Sequence, residues 1–329
     1  MTTRYDVAAL GNAIVDVIAP ATDAFLDREG LVKGSMMLVD ADQSAGLYSK
    51  MGAAVEASGG SAGNTIAGVA SLGGRGAFIG KVANDTLGDV YAHDMTAIGA
   101  SFHGGRLEGG AGTGRCMINV TPDGQRTMCT YLGAATELSP ADVDAAIIEG
   151  SAITYFEGYL FDPEEARKAF AKAAGLARAA GRQIALSVSD SFVVHRHRDA
   201  LLAFIASDVD ILFANEDEIV ALTGAANFKD AAKAIRDKVK IAALTCGAQG
   251  SVIVTAEGTI QIDAVPIEKV VDTTGAGDQY AAGFLHALAQ GRPLDHCGRL
   301  GGLAAGEVIG HYGPRPQVSL KDLAATAGL

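Results

Sequence analysis

The chain has 329 residues, 49% of them apolar, which is enough for a substantial core and excludes a disordered protein. A net charge of −12 without a basic stripe argues against nucleic acid as a partner, and no apolar run approaches membrane-spanning length. The four cysteines (116, 129, 246, 297) form no Cys-x-x-Cys pair, so neither a zinc site nor a disulfide framework is expected.

Arg4 to Leu10 reads as a buried strand rather than a leader peptide, and the simplest location is the cytoplasm. Gly11-Asn12-Ala13-Ile14-Val15-Asp16 follows that strand. Ligands of parallel sheets sit beyond the carboxyl ends of the strands, so Asn12 and Asp16 are candidates for binding hydroxyl groups. Equally, Asn12 can make a turn and Asp16 can be solvated. Ser58-Gly-Gly-Ser-Ala-Gly-Asn64 is a glycine-rich turn leading into a helix over 65–72. Its glycines let a polyol approach the backbone, with Ser61 and Asn64 within reach of the hydroxyls; a packing role fits as well.

Two stretches, roughly 13–52 and 103–132, fall outside the α/β rhythm. Gly34 to Leu38 and Arg115 to Val120 look like strands, the second turned at Pro122-Asp123-Gly124. They are expected to pair into a small sheet acting as a lid, or else to extend the edge of the main sheet.

From about residue 140 helix and strand alternate. A helix opens at Pro163-Glu164-Glu165 and runs to Ala180, followed by a strand over 184–188 and helix over 198–206. Next come a strand over 209–214, a short helix over 216–223, a helix over 229–238 and a strand over 241–245. Ser251 to Thr255 and Thr259 to Ile262 form a hairpin around Glu257-Gly258. This pattern predicts an α/β fold, with a doubly wound and mostly parallel sheet, helices on both faces and one domain over 1–329. Asn215 is placed to cap the helix after its strand. Glu218 can hold Mg²⁺ through water or simply favour the helix start. Thr245, Gly247 and Gly250 again follow a strand, where a nucleotide can approach the backbone.

The strongest signal is Asp272-Thr273-Thr274-Gly275-Ala276-Gly277-Asp278, directly before an apolar helical run. Small residues at a helix start expose N–H groups and make an anion site. Asp278 there is either a cap or a base serving a bound nucleophile. No Walker loop occurs, because Gly80-Lys81 is followed by Val82, and no Gly-x-Gly-x-x-Gly follows a strand.

Gly59 to Asn64 through Gly73-Gly74, with Asp272 to Asp278 through Phe284, resembles the two signatures of the ribokinase-like (PfkB-type) carbohydrate and nucleoside kinases. Gly11 to Asp16, Leu212 to Glu216 and Gly124 to Leu132 carry a narrower likeness to the adenosine kinase branch. By that resemblance Asp278 is the general base, and the N–H groups of Gly275, Ala276 and Gly277 form the anion hole. Asp16 grips ribose hydroxyls with help from Asn12, Gly60, Ser61 and Asn64. Arg126 steadies phosphate charge, while Met128, Thr130, Leu132 and Tyr159 offer an apolar slot for a purine base. Asn215, Glu218, Thr245, Gly247, Gly250 and Thr274 serve ATP and Mg²⁺, and Asp272, Thr274 and the 310–313 loop are a candidate K⁺ site. The implied reaction is ATP-dependent phosphorylation of a nucleoside 5′-hydroxyl, adenosine preferred. A free sugar such as ribose or fructose is the alternative acceptor, and a non-catalytic nucleoside sensor the distant one. Two separate lid insertions favour a monomer over a homodimer.

Overall fold

The first strand, β1 (Tyr5–Leu10), is buried on both faces, Val7 and Ala9 joining one hydrophobic core and Ala8 and Leu10 the other. Such two-sided burial is what a central parallel strand requires. The computed structural model describes residues 3–329. After β1 the strands are β2 (Ile14–Pro20), β3 (Met36–Leu38), β4 (Val55–Ser58), β5 (Gly76–Ile79) and β6 (Lys81–Ala83). Then come β7 (Ser101–Phe102), β8 (Gly105–Leu107), β9 (Gly114–Val120), β10 (Arg126–Tyr131) and β11 (Ser151–Glu157). The series ends with β12 (Gln183–Ser187), β13 (Ile211–Asn215), β14 (Ile241–Thr245), β15 (Ser251–Thr255) and β16 (Gly258–Ile262).

Nine strands form the main sheet in the order β16-β15-β14-β13-β12-β11-β1-β5-β7. It is parallel from β7 to β14 and antiparallel at the β15–β16 hairpin. One core packs it against helices Glu164–Ala179, Ser191–Asp208, Glu216–Thr223 and Phe228–Ile235. The other packs it against Ser61–Ser71, Thr86–Ala97, Ala276–Ala289, Leu294–Val308 and Leu320–Thr326. The doubly wound expectation holds. No helix among the described residues is long and apolar enough to cross a membrane.

A separate five-stranded sheet has the order β3-β10-β9-β2-β4. It is therefore not an edge extension of the main sheet. Its strands come from 14–58 and 114–131, so the first stretch runs past its expected end to include β4. Part of the second stretch, β8, pairs instead with β6. Two short helices, Asp23–Glu29 and Ala41–Tyr48, lie within the first stretch, each opened by a side-chain cap from Thr22 or Asp40.

The helix expected at 65 begins at Ser61, so the end of its glycine-rich turn is the first helical turn, while the other glycine-rich turn leads into a helix that begins at Ala276 with Asp278 in its first turn. In both, a glycine with positive φ precedes the helix: Gly60 at 82° and Gly275 at 79°. The helix expected at 198 begins at Ser191, with Asp190 as its cap and a break in helical geometry at His197.

Candidate active site

The parallel strands end on one side of the main sheet, and their carboxyl ends carry polar groups. Asn12 follows β1, Glu157 ends β11, Ser187 ends β12, Asn215 ends β13 and Thr245 ends β14. All of them line one cavity of about 1230 Å³, whose far wall is the five-stranded sheet. Every residue expected to bind acceptor, ATP or Mg²⁺ lines this cavity except Arg126, while of the candidate K⁺ site Thr274 lines it and Asp272 and the 310–313 loop do not.

Asp278 sits in the first turn of the Ala276–Ala289 helix. Its Oδ1 accepts a hydrogen bond from Ser61 Oγ at 2.6 Å, and its Oδ2 accepts one from Asn64 Nδ2 at 3.0 Å. The carboxylate therefore faces another helix start rather than capping its own. Burial raises its pKa, while Ser61, Asn64 and the charge of Arg315 pull it back. The N–H groups of Gly275, Gly277 and Asp278 meet no acceptor among the described residues. Ala276 differs from the expectation, since its N–H already donates to the Thr273 carbonyl at 3.2 Å. At position 275 only glycine fits: φ is 79°, and a Cβ would lie 2.6 Å from Pro314.

Asp16 projects from β2 and is nearly buried, so it is not a solvated carboxylate. Burial pushes its pKa up to about 6, opposed by Arg315 and Arg126. Gly59 makes room for it, because a Cβ there would fall 2.4 Å from Asp16 Oδ2. Glu157 was not found from sequence. It is fully buried and accepts from Asn12 N at 2.7 Å, Asn12 Nδ2 at 2.7 Å and Ala62 N at 2.8 Å. Burial outweighs these bonds and lifts its pKa to about 7. It ties the turn after β1 to the start of the Ser61–Ser71 helix. A carboxylate closing an otherwise apolar strand was the signal available for it.

Beyond Asp16 the five-stranded sheet supplies an aliphatic slot, with Ile14, Met36, Leu38, Ile118, Met128 and Leu132 as its main walls. The slot's hydroxyl, Thr130 Oγ1, is spent on Cys116 Sγ at 3.2 Å, and burial raises the pKa of that thiol. Register places Cys116 directly beside Asp16 on the neighbouring strand. The opposite end of the cavity is also apolar, built from Ala264, Val265, Ile267, Ala305 and Ile309 near Thr245 and Gly250. The cavity is thus polar in the middle and apolar at both ends.

Asn215 and Glu218 form a reciprocal capping box. Asn215 Oδ1 accepts from Glu218 N at 2.9 Å, while the Glu218 carboxylate accepts from Asn215 N at 2.9 Å and Nδ2 at 2.7 Å. Burial pushes the Glu218 pKa up to about 7. Among the described residues no group of three His, Cys, Asp or Glu side chains could hold a metal. One buried carboxylate suits a magnesium ion that keeps water and takes its other ligands from phosphate oxygens.

Arg126, on β10, is buried behind the cavity with its Nη2 2.7 Å from Asp272 Oδ2. The contact is an ion pair by distance, with no guanidinium N–H aimed well enough for a hydrogen bond. Asp272 also accepts from Thr274 N at 3.0 Å and Gly313 N at 3.1 Å, which shapes the turn ahead of Gly275. Arg126 thus pairs with the carboxylate that shapes the turn and does not line the cavity, and it places a positive charge where K⁺ was expected.

Residues 31–320 match the profile of the pfkB family carbohydrate kinases. The chain is 28% identical to adenosine kinase of Saccharomyces cerevisiae, over 94% of this chain and 96% of that protein. Two solved structures are closely similar. One is adenosine kinase from Sinorhizobium meliloti, with 52% identity, TM-score 0.93 and coverage of 98% of this chain and 99% of that one. The other is a probable sugar kinase from Rhizobium etli, with 48% identity, TM-score 0.94 and 99% coverage of both chains.

Proposed function

The chain belongs to the pfkB family of carbohydrate kinases and is a phosphotransferase with an alcohol acceptor; from that premise we propose that it transfers the γ-phosphoryl of ATP to the 5′-hydroxyl of a nucleoside, adenosine preferred. The observation that carries the choice of acceptor is the aliphatic slot adjoining Asp16. A free sugar has no apolar group to place there, whereas a nucleoside carries a base on the same ring that Asp16 would grip. With Thr130 spent on Cys116, the slot favours a base by apolar contact more than by hydrogen bonds.

Asp278 accepts the proton of the acceptor hydroxyl, and Ser61 and Asn64 hold its carboxylate in line. The N–H groups of Gly275, Gly277 and Asp278 meet the charge that grows on the transferred group. Asn12, Asp16 and Gly60 hold the sugar, and the Thr245–Gly250 end takes the adenine of ATP. Glu218 is the carboxylate that would meet a bound Mg²⁺ through water, and the ion would supply neutralisation of phosphate charge. The five-stranded sheet acts as a lid that excludes water from the polar middle. The lid arrangement favours a monomer, and sedimentation showing a stable dimer at micromolar concentration would reverse that assignment.

One observation favours a second reading, a free-sugar acceptor: the 48% identical relative is named a probable sugar kinase. The test is kcat/KM for ATP consumption against adenosine, inosine, guanosine, cytidine, ribose and fructose. A value for adenosine at least about tenfold above the sugars supports the nucleoside reading, since the slot's contacts amount to roughly 1.4 kcal/mol or more. Preference for a sugar moves the acceptor and leaves the polar middle intact. Binding without turnover on the whole panel would make the protein a sensor.

A further inference from the structure

Arg315 lies in the loop between the helices Leu294–Val308 and Leu320–Thr326, and no motif pointed to it. It does not line the cavity and forms no ion pair within 4 Å among the described residues. Its Nε donates to Asn64 Oδ1 at 3.2 Å, its Nη1 to Ser58 Oγ, and its Nη2 to Met95 Sδ at 3.6 Å. Asn64 in turn donates from Nδ2 to Asp278 Oδ2 at 3.0 Å.

An amide can face a carboxylate with either end, and only the NH₂ end supports an ionised oxygen. A guanidinium is donor-only, so Arg315 forces Oδ1 of Asn64 towards itself and Nδ2 towards Asp278. The same loop is tied to the anion turn: Gln279 Nε2 donates to Pro314 O and to Asn64 O, both at 2.9 Å. We infer that Arg315 is a positioning residue for the transfer, fixing the Asn64 amide and keeping Asp278 an oriented, ionised acceptor of the substrate proton.

The charge has a second task. The charge of Asp278 is felt by Asp16 on β2, Glu157 on β11 and Glu218 at the start of its helix, together with Tyr155 and Tyr159. Arg315 is the cation that acts on both Asp16 and Asp278. Without it, crowded carboxylates resist ionising together, and the base would hold its proton to higher pH.

This inference rests on Asp278 being the base, so its test carries a control for that reading. The pH dependence of kcat is measured with MgATP and whichever of adenosine, ribose or fructose the wild type turns over. Arg315→Met is expected to move the acid limb upward by about one unit, so that kcat falls up to roughly tenfold at pH values on the acid side of the limb, while Arg315→Lys keeps most of the limb in place. In an Asp278→Asn background, Arg315→Met should change kcat by less than about twofold, because the group it serves is gone. A limb that stays put while kcat falls, or an equal loss in both backgrounds, would mean a purely structural role and overturn the inference. If Asp278→Asn alone keeps near-normal kcat, the base assignment fails instead. Should Arg315→Met not fold, Arg315→Gln, which retains a donor to Asn64 but no charge, gives the same readout.

Discussion

Two helices begin at the same end of the main sheet, and they treat their first turns in opposite ways. At Glu216–Thr223, Asn215 and Glu218 answer each other's backbone N–H groups with a capping box. At Ala276–Ala289 the cap position is Gly275, no side chain caps the turn, and three N–H groups there meet no acceptor among the described residues. Capping contributes stability, so an uncapped start facing a cavity gives some of that up. The difference separates the two roles: the capped start holds a carboxylate in place, and the open start offers donors to a ligand.

The sharpest break in that comparison comes from the carboxylate over the open start. Asp278→Asn is expected to lower kcat by about 10²–10⁴-fold with acceptor KM within severalfold, read by steady-state kinetics. Next is Gly275→Ala, which forces a side chain into positive φ at a cost of roughly 1–2 kcal/mol and drives Cβ against Pro314. Calorimetry should show a lower Tm and kinetics a loss of about tenfold or more in kcat. If activity survives intact, the open turn is not where charge is stabilised. At the capped start, Asn215→Ala should behave differently, costing about 0.5–2 kcal/mol of stability in chemical denaturation with a smaller effect on kcat.

The smallest effect is on pH dependence. Folding raises the Glu218 pKa from its ordinary value of 4.5 to about 7. A carboxyl raised in this way stabilises the fold below its unfolded pKa and loses that contribution as pH rises through the folded one. Glu218→Gln should therefore show a shallower decline of Tm between about pH 5 and 8 than the parent. An unchanged slope would mean that Glu218 titrates near its ordinary value.

The α/β rhythm after residue 140 was legible because buried parallel strands read as short apolar runs bounded by glycine and polar turns. The five-stranded sheet was legible only in part. Its β2 is almost continuously apolar and reads like a main-sheet strand, and β4 is too short and exposed to stand out. In the site, residues that follow strands or sit in glycine turns could be found from local pattern. The ion pair of Arg126 with Asp272 could not be read from the sequence, since it joins segments far apart along the chain. Arg315 and Glu157 were missed for the same reason, because what they do depends on partners that only the folded chain brings near.

The pairing of β2 has a consequence for how the chain is made. Ile14 lies beside Gly114 in a parallel register, and β1 next door waits for β11 at 151–157. On the ribosome each strand meets one partner early, β5 for β1 and β4 for β2, but its other edge waits for β11 or β9, so the nascent N-terminal segment carries an unpaired, apolar edge on each strand until those strands emerge. A holdase, or a slow stretch of synthesis after β11 has cleared the ribosome, would act at the moment these edges close, and truncation before β11 should yield an aggregating fragment instead of a smaller folded one.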